Sequence, residues 1–314
     1  MIPKIVLIGT GRFGNNHLRN LVDFDKIGII KLIGVVDTDS NRLKKIKKEY
    51  SITTSEDYRD FLNTANAFDV VTPASTHFSL VKSLLLEKKH VFVEKPLTLN
   101  YFEAVKLVKL AKKNNVTFQV GLIFRYNEMV TKLKKLIRNK NYFPFYVTGS
   151  FLQNTPPKSD VGAIFNYLHH FDIIDNLFGQ KIKSIFSHEN LSMKNPHLET
   201  NVTVMMDLTN NVNVVLNLGW IPTGKYRTLE LFSKKYHLKC DLMKQQIEIY
   251  QNEKLNKVIK PKFKEPLKLE LEEFVNCIKN KKKSKVDGYI GARVVKIAEA
   301  ATKSLKTKKP LRFR

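Results

Sequence analysis

The sequence predicts an α/β protein with two domains: a doubly wound parallel sheet, then an α+β domain with a large, mainly antiparallel open sheet. A length of 314 residues exceeds one typical core. Apolar strands alternate with amphipathic helices up to residue 121, which indicates parallel strands joined by right-handed crossovers. Strand-like stretches then follow one another, as in antiparallel sheets. We therefore predict domains at 1–121 and 122–314, with the last helix packing back on the first domain.

The elements of the first domain are recognised by short apolar runs and by their boundary residues. Pro73 stops the fourth run, and Asn100 is placed to cap the last helix. The predicted strands are Ile5–Ile8, Leu32–Val36, Ile52–Thr54, Asp69–Pro73, His90–Glu94 and Val116–Phe124. The predicted helices are the one that follows Gly14, then Ser40–Glu49, Glu56–Leu62, His77–Lys89 and Asn100–Lys113.

The second domain is predicted to be rich in strands and to end in two helices. Its predicted strands are Phe145–Phe151, Ile182–His188, Thr200–Leu208, Val212–Leu218, Arg227–Phe232, Tyr236–Cys240 and Gln246–Tyr250. Its predicted helices are Asn127–Asn139, Ala163–Phe178, Leu267–Lys279 and Gly288–Lys306, with a loop at Pro156-Pro157.

A glycine-rich turn links the first strand to the first helix. The segment Gly9-Thr10-Gly11-Arg12-Phe13-Gly14 follows the strand directly, and the second strand ends on Asp37. Gly9 permits the tight turn, Gly11 lets the backbone approach a pyrophosphate, and Gly14 lets helix and strand pack closely. The helix N-terminus faces the phosphates, and Asp37 is placed to bind the adenosine ribose. Together these features predict a Rossmann dinucleotide-binding domain.

The predicted cofactor is NAD. A carboxylate at position 37 repels the ribose phosphate of NADP, whose sites favour an arginine. Arg12 lies in the glycine turn, and Arg42 lies a turn beyond Asp37. Either guanidinium could weaken the preference, so NADP stays an alternative.

Polar residues gather where three predicted strands end. In an open parallel sheet, ligands bind at the carboxyl ends of the strands. The segments at these ends are Thr72-Pro73-Ala74-Ser75-Thr76-His77, Glu94-Lys95-Pro96 and Arg125-Tyr126-Asn127. We therefore predict that the functional site lies at this edge.

These segments resemble the motifs of the Gfo/Idh/MocA family of NAD(P)-dependent oxidoreductases. The similar segments in the first half are Thr72-Pro73 with His77, His90–Leu97, and Val120-Gly121 followed by Arg125-Tyr126-Asn127. Residues 162–172 resemble the active-site helix of the family. The features similar to a subgroup acting on sugars are Trp220, Lys225, Arg227, Glu265–Leu267 and Val286–Gly288. The resemblance spans essentially the whole chain.

The resemblance implies catalytic roles for Lys95, His169 and Asp172. Lys95 is expected to hydrogen-bond the substrate oxygen and to stabilise a developing alkoxide. The peptide before Pro96 is expected to be cis. His169 is expected to be the acid/base partner because imidazole titrates near neutral pH. Asp172, one helical turn later, is expected to orient or charge-balance it.

The expected contacts extend beyond the catalytic residues. Cofactor contacts are expected from Gly9, Thr10, Gly11, Arg12, Phe13, Gly14, Asp37, Arg42, Thr72, Pro73, His77, Glu94 and Lys95. Substrate contacts are expected from Lys95, Arg125, Asn127, Asn166, His169 and Trp220. Trp220 is also compatible with a core or interface position.

Three features depart from the family pattern. Asn166 stands where the family has an aspartate, and an amide cannot carry a proton. His169 is followed by His170, and we favour His169 because its spacing to Asp172 fits the family without a gap. The loop Asn141–Pro144 stands where relatives often have glycines.

Composition limits the other classes of function. The net charge is +25, but the lysines are spread along helix faces, and the dense run Lys279–Lys285 is predicted to be an exposed loop. We therefore predict no nucleic-acid partner, and some attraction for a phosphorylated ligand. No apolar run reaches the roughly 20 residues of a membrane span.

The cysteines and histidines do not indicate a metal. Cys240 and Cys277 are far apart, which predicts reduced thiols in a cytoplasmic protein. His188, His197 and His237 lack ligand spacing, so we predict no metal site. We expect a homodimer or homotetramer, formed through an exposed apolar face of the second sheet.

The leading hypothesis is hydride transfer between NAD(H) and a secondary alcohol or ketone of a sugar, sugar nucleotide or cyclitol. The alternative is a non-catalytic NAD(H)-binding regulator or scaffold, which Asn166 keeps open. A third possibility is a reaction that holds NAD tightly and regenerates it within each cycle.

Overall fold

The structure is a computed structural model that describes residues 2–154, 161–179, 182–190, 198–221 and 223–313. The predicted Pro156-Pro157 loop and His197 lie outside the described residues. Two compact units are present: 1–123 with 267–295, and 124–266 with 296–314. The first unit therefore extends two residues past the predicted boundary at 121 and includes a second segment that begins at Leu267.

The secondary structure follows the predicted order. The strands are β1 (Lys4–Ile8), β2 (Lys31–Val36), β3 (Thr54–Ser55), β4 (Ala67–Val70), β5 (His90–Glu94), β6 (Phe118–Gly121), β7 (Tyr146–Gln153), β8 (Ile182–Glu189), β9 (Asn201–Leu208), β10 (Asn213–Trp220), β11 (Lys225–Phe232), β12 (His237–Asp241), β13 (Gln246–Gln251), β14 (Lys254–Ile259) and β15 (Leu311–Arg312). The α-helices are α1 (Gly14–Lys26), α2 (Ser40–Tyr50), α3 (Ala74–Leu86), α4 (Tyr101–Lys113), α5 (Glu128–Leu136), α6 (Ala163–Asn166), α7 (His169–Phe178), α8 (Pro266–Asn280) and α9 (Gly288–Thr307).

The first unit contains a parallel sheet, as predicted. Among the described residues, its six strands run in the order β3-β2-β1-β4-β5-β6, and every pairing is parallel. Leu7 on β1 and Leu21 on α1 belong to its core, and Phe274 on α8 packs edge-on against Phe92 of β5. Burial of such side chains is the main stabilising term for the layered unit. The carboxyl ends of β1, β2, β4 and β5 consequently share one edge.

The second unit contains the predicted mainly antiparallel sheet. Its nine strands, within the described ranges, run in the order β14-β13-β12-β11-β7-β10-β9-β8-β15. Every pairing is antiparallel except that of β7 with β10. β14 was not predicted, since nearly all of its side chains are exposed and it lacks apolar alternation. β15 was not predicted either, because its two residues are too few to show a strand pattern.

The predicted continuous helix Ala163–Phe178 is wrong. Helix α6 ends at Asn166, and α7 begins at His169. Tyr167, with φ −103° and ψ 28°, leaves helical geometry between them. Its buried ring packs against Phe151 and Trp220, which are distant in sequence, so the break depends on contacts that local periodicity does not encode. The predicted helix Glu56–Leu62 is likewise only a 3₁₀ turn, Tyr58–Phe61.

The more exposed face of the second sheet is mixed rather than apolar. One row across β7, β10 and β9 consists of Ser150, Asn217 and Thr203, and the Thr203 hydroxyl donates to Asn217 Oδ1 at 2.9 Å. The neighbouring row includes Val215 and Met205. A homo-oligomer formed through this face stays a prediction, and its interface would have to pair polar groups as well as bury apolar ones.

None of the helices in the described ranges has the length and apolar character that crossing a membrane requires.

Candidate functional site

The glycine turn is shaped for a phosphate group. Gly9 has φ +97°, and a Cβ there would press on the Val71 carbonyl, so glycine is required. A Cβ at Gly14 would overlap the Gly9 carbonyl. Gly11, in contrast, faces open space on that side. In the described residues, no side chain caps the start of α1, and the Asn15 and Asn16 amides donate to the Gly11 and Phe13 carbonyls at 3.0 and 2.9 Å. The positive end of the helix dipole still favours an anion at this turn.

Asp37 is fixed beside this turn. The amide and the hydroxyl of Thr10 donate to Asp37 Oδ2 at 2.6 and 2.5 Å, and the Asp39 amide donates to Oδ1 at 2.9 Å. Burial raises the pKa of Asp37, but these hydrogen bonds outweigh it and hold the pKa below its usual value. Asp37 is therefore ionised at neutral pH and retains acceptor capacity for a ribose hydroxyl.

The two arginines named as cofactor contacts lie on the solvent side of the turn. Arg42 Nη1 is 3.6 Å from Asp37 Oδ2, and its Nε is 3.2 Å from Asp39 Oδ2. Arg12 and Phe13 are exposed. Arg42 thus partly neutralises the Asp37 carboxylate, which is the physical basis on which NADP remains an alternative.

His77 connects the turns after β4 and β5. Its buried ring places Nδ1 2.7 Å from the Pro96 carbonyl oxygen and Nε2 3.0 Å from that of Thr72. The Lys95–Pro96 peptide is cis, as predicted, and Lys95 is half-buried. Burial lowers the pKa of His77. A neutral ring has a single N–H, so His77 contacts both turns but donates to only one of the two carbonyls.

Arg125, in the second unit, is bound to two carboxylates. Its Nε donates to Asp172 Oδ1 and its Nη2 to Asp175 Oδ2, both at 2.6 Å, and only 11% of its side chain is exposed. Burial lowers the pKa of Arg125, but the two carboxylates outweigh this and raise it. Asp172, expected to orient His169, is thus hydrogen-bonded to Arg125.

The two neighbouring histidines have different environments. His169 begins α7, is half-buried, and has its ring 5.0 Å from that of Phe124 and 6.0 Å from that of Phe151. His170 is fully buried, and burial lowers its pKa to about 3. His170 is therefore neutral, whereas solvent or a ligand can reach His169.

The remaining expected substrate residues lie near aromatic rings or a helix start. Trp220 is buried at the end of β10 with its ring 5.7 Å from that of Tyr167, and Asn166 directly precedes Tyr167. Arg227, a feature similar to the subgroup that acts on sugars, lies over the Phe151 ring at 4.4 Å. Asn127 differs from these: its Oδ1 accepts hydrogen bonds from the Met129 and Val130 amides, so it caps α5.

A buried cluster of charged side chains in the first unit was not predicted. His17 Nδ1 lies 2.8 Å from Asp69 Oδ2, and His17 Nε2 lies 3.4 Å from Glu94 Oε1. A signal was available, because Asp69 interrupts the apolar strand β4 and a buried carboxylate generally has a partner. The partner could not be identified without the tertiary fold.

Comparisons with known proteins agree with this geometry. Residues 3–122 match the family described as "Oxidoreductase family, NAD-binding Rossmann fold", the Gfo/Idh/MocA family. Myo-inositol 2-dehydrogenase of Thermotoga maritima is 24% identical over 331 aligned positions, covering 99% of this chain and 98% of the relative.

Two solved structures share the fold. UDP-N-acetylglucosamine 3-dehydrogenase from Acidithiobacillus ferrooxidans has a TM-score of 0.87 at 22% identity, covering 98% of this chain and 99% of the other. Scyllo-inositol dehydrogenase from Lactobacillus casei, with bound NAD(H) and scyllo-inositol, has a TM-score of 0.83 at 21% identity, covering 99% of each chain.

The glycine turn, Asp37 and the parallel sheet define the nucleotide-binding part of an NAD-linked oxidoreductase. Residues 3–122 match the model of the Gfo/Idh/MocA family, as the motifs of the first half predicted. The prediction of NAD as cofactor agrees with this family's description.

Proposed function

We propose that this protein is a dehydrogenase that oxidises a secondary alcohol of a cyclitol, sugar or sugar nucleotide with NAD, or reduces the corresponding ketone. The observation that carries the proposal is the fit of the first unit to NAD: the open glycine turn, the uncapped start of α1 and the ionised Asp37. Bound NAD supplies the hydride acceptor. The named relatives act on inositols or on a UDP-sugar, which supports this substrate class.

In this proposal, Lys95 holds the substrate oxygen. An ammonium group stabilises the charge that develops on that oxygen and can exchange a proton with it. The support is local: Lys95 is half-buried at the carboxyl end of β5, and Glu94 and Pro96 on either side of it are hydrogen-bonded. We expect Lys95→Ala to bind NADH normally and to lose turnover by about 10²-fold or more.

His169 is proposed as the acid/base partner. His170 is buried with a pKa of about 3, so it cannot exchange protons near neutral pH, whereas His169 is half-buried. His169→Asn should lower kcat by about 10²–10⁴-fold. His170→Asn is the matched control, for which we expect a loss of stability with little change in kcat.

A screen of cyclitols, sugars and UDP-sugars with NAD, monitored by NADH absorbance, tests the activity. Turnover of one compound, abolished in Lys95→Ala and retained in Lys113→Ala at an exposed helix end, supports the proposal. Near-normal turnover of Lys95→Ala would refute the role of Lys95. Absence of turnover with every compound, despite NADH binding, would favour the non-catalytic alternative.

Asn166 is the observation that favours the non-catalytic alternative. An asparagine cannot carry the proton that the family aspartate can. Restoring the acid in Asn166→Asp distinguishes the two: an increase in turnover indicates an enzyme with reduced proton-transfer capacity. Mass spectrometry of the purified protein tests the third possibility, because retained NAD would indicate a cofactor regenerated within each cycle.

A further inference from the structure

His17 lies between two carboxylates in the interior of the first unit. Its ring belongs to α1, whereas Asp69 belongs to β4 and Glu94 to β5. Nδ1 is 2.8 Å from Asp69 Oδ2, and Nε2 is 3.4 Å from Glu94 Oε1. His17 has no exposed surface. Three elements of the fold are therefore joined through one imidazole ring.

The ring provides the positive charge between these carboxylates. Burial lowers the pKa of His17, but Asp69 and Glu94 outweigh it and raise the pKa to about 10. Both ring nitrogens consequently carry protons at neutral pH. Nδ1 donates to Asp69 Oδ2, whereas Nε2 makes no hydrogen bond among the described residues and faces Glu94 Oε1 at ion-pair distance. In the part of the chain that the structure describes, no cluster of three or more His, Cys, Asp or Glu side chains is suited to hold a metal ion.

Glu94, which faces the His17 ring, also contacts the backbone of the neighbouring Lys95. Its Oε2 accepts a hydrogen bond from the Lys95 amide at 3.1 Å. Gly121 on β6 pairs with Glu94, and a Cβ at Gly121 would overlap Glu94 Oε1. The carboxylate is thus confined by the His17 ring, by the Lys95 amide and by a backbone that approaches closely because residue 121 is glycine.

We propose that His17 is a positioning residue for Lys95, which it holds in place through the Glu94 carboxylate. The inference rests on the proposed role of Lys95 in catalysis. Without the imidazolium, Asp69 and Glu94 are two buried carboxylates with no cation between them. Glu94 then takes up a proton or moves toward solvent, and the Lys95 backbone loses its fixed acceptor. A displacement of about 1 Å at a catalytic group can cost about 10²-fold in rate.

Amide hydrogen exchange provides a test that needs no substrate. In His17→Gln, we expect the Lys95 amide to exchange at least about tenfold faster, while the Phe92 amide within β5 changes less than about threefold. The matched control is His90→Gln, at the opposite end of β5, where His90 Nδ1 accepts from the Thr117 amide. This control should leave Lys95 exchange unchanged. Unchanged Lys95 exchange in His17→Gln overturns the proposal.

The protonation state gives a second test on the unmodified protein. Long-range ¹H–¹⁵N spectra should show protons on both His17 ring nitrogens from about pH 7 to about pH 9. A single ring proton at neutral pH overturns the proposal, because a neutral ring can donate to only one of the two carboxylates.

Kinetics distinguish positioning from simple stabilisation. His17→Gln and Glu94→Gln should each lower kcat by at least about tenfold. In His17→Gln, which removes no expected cofactor contact, the dissociation constant of NADH should stay within about threefold of wild type. Because both act through one chain of contacts, the double variant should be no worse than the poorer single variant by more than about threefold. If the losses in kcat of the two single variants multiply in the double variant, His17 and Glu94 act independently and the proposal is contradicted.

These outcomes are separable from those of the proposed function. If Lys95→Ala retains turnover while His17→Gln accelerates Lys95 exchange, the catalytic role of Lys95 fails and the contact through Glu94 stands. If Lys95→Ala loses turnover but His17→Gln changes neither exchange nor kcat, the proposed function stands and the positioning role of His17 fails.

Discussion

Thr10 and Asp37 are joined by two hydrogen bonds that meet on one oxygen, since the amide and the hydroxyl of Thr10 both donate to Asp37 Oδ2. This relationship fixes the carboxylate beside the glycine turn before any cofactor binds. It also keeps Asp37 ionised, because the hydrogen bonds outweigh the effect of burial on its pKa. A fixed negative charge at this position discriminates against a ribose that carries a phosphate.

Removing this charge should weaken the preference for NAD. In Asp37→Ser, we expect the ratio of kcat/KM for NAD to that for NADP to fall by at least about tenfold, equivalent to roughly 1.4 kcal/mol. Steady-state kinetics with both cofactors measure the ratio. Asp23→Asn, an exposed carboxylate on α1, should leave it unchanged. An unaltered ratio in Asp37→Ser would show that Asp37 does not select the cofactor.

Arg125 should contribute strongly to the stability of the second unit. Arg125→Met removes the guanidinium that pairs with the buried Asp172 and Asp175, and breaking a buried pair typically costs about 3–5 kcal/mol. Urea unfolding monitored through Trp220, the single tryptophan, measures the loss in the unit to which both residues belong. Arg59→Met, which breaks an exposed pair with Asp57, should leave the midpoint unchanged. An unchanged midpoint in Arg125→Met, together with a raised KM, would instead assign Arg125 to substrate binding alone.

His170 should make the second unit less stable as the pH falls. Its pKa is about 3 when folded and roughly 6.5 when unfolded, so below pH 6.5 the unfolded chain binds more protons. The contribution of His170 to the free energy of unfolding is complete above roughly pH 6.5 and declines as the pH falls toward 3. The free energy of unfolding then changes by up to about 1.4 kcal/mol per pH unit.

The measurement is the pH dependence of unfolding followed by Trp220 fluorescence between roughly pH 7.5 and pH 5. His170→Gln should remove most of the slope attributed to His170. His188→Gln, an exposed histidine on β8, should retain the wild-type slope. Identical slopes in the wild type and in His170→Gln would contradict the assignment of a neutral buried ring.

Structural features that depend on residues close together in sequence were predicted well. The glycine turn, the strand that precedes it, Asp37 at the end of the next strand and the cis Lys95–Pro96 peptide were all predicted before the fold was known. These features depend on backbone geometry over a few residues, where the chemical nature of glycine and proline is decisive.

The partners of charged and buried side chains were decided by the tertiary structure. The fold brings Asp172 to Arg125, 47 positions distant in the sequence, and this partner was not predicted. The fold also uses the Asn127 Oδ1 to cap α5, a role that was not predicted beside its expected substrate contact. No role was predicted for His17, which the fold places between Asp69 and Glu94.

The sequence by itself therefore determined the class of this protein: a parallel nucleotide-binding sheet with an NAD-type glycine turn, followed by a mainly antiparallel sheet. The tertiary structure decided which of two adjacent histidines is accessible and which buried charges neutralise each other. The physical reason is the separation along the chain over which each property acts. Turn geometry and strand periodicity are local properties of the chain, whereas burial and charge pairing exist only after distant segments have packed together.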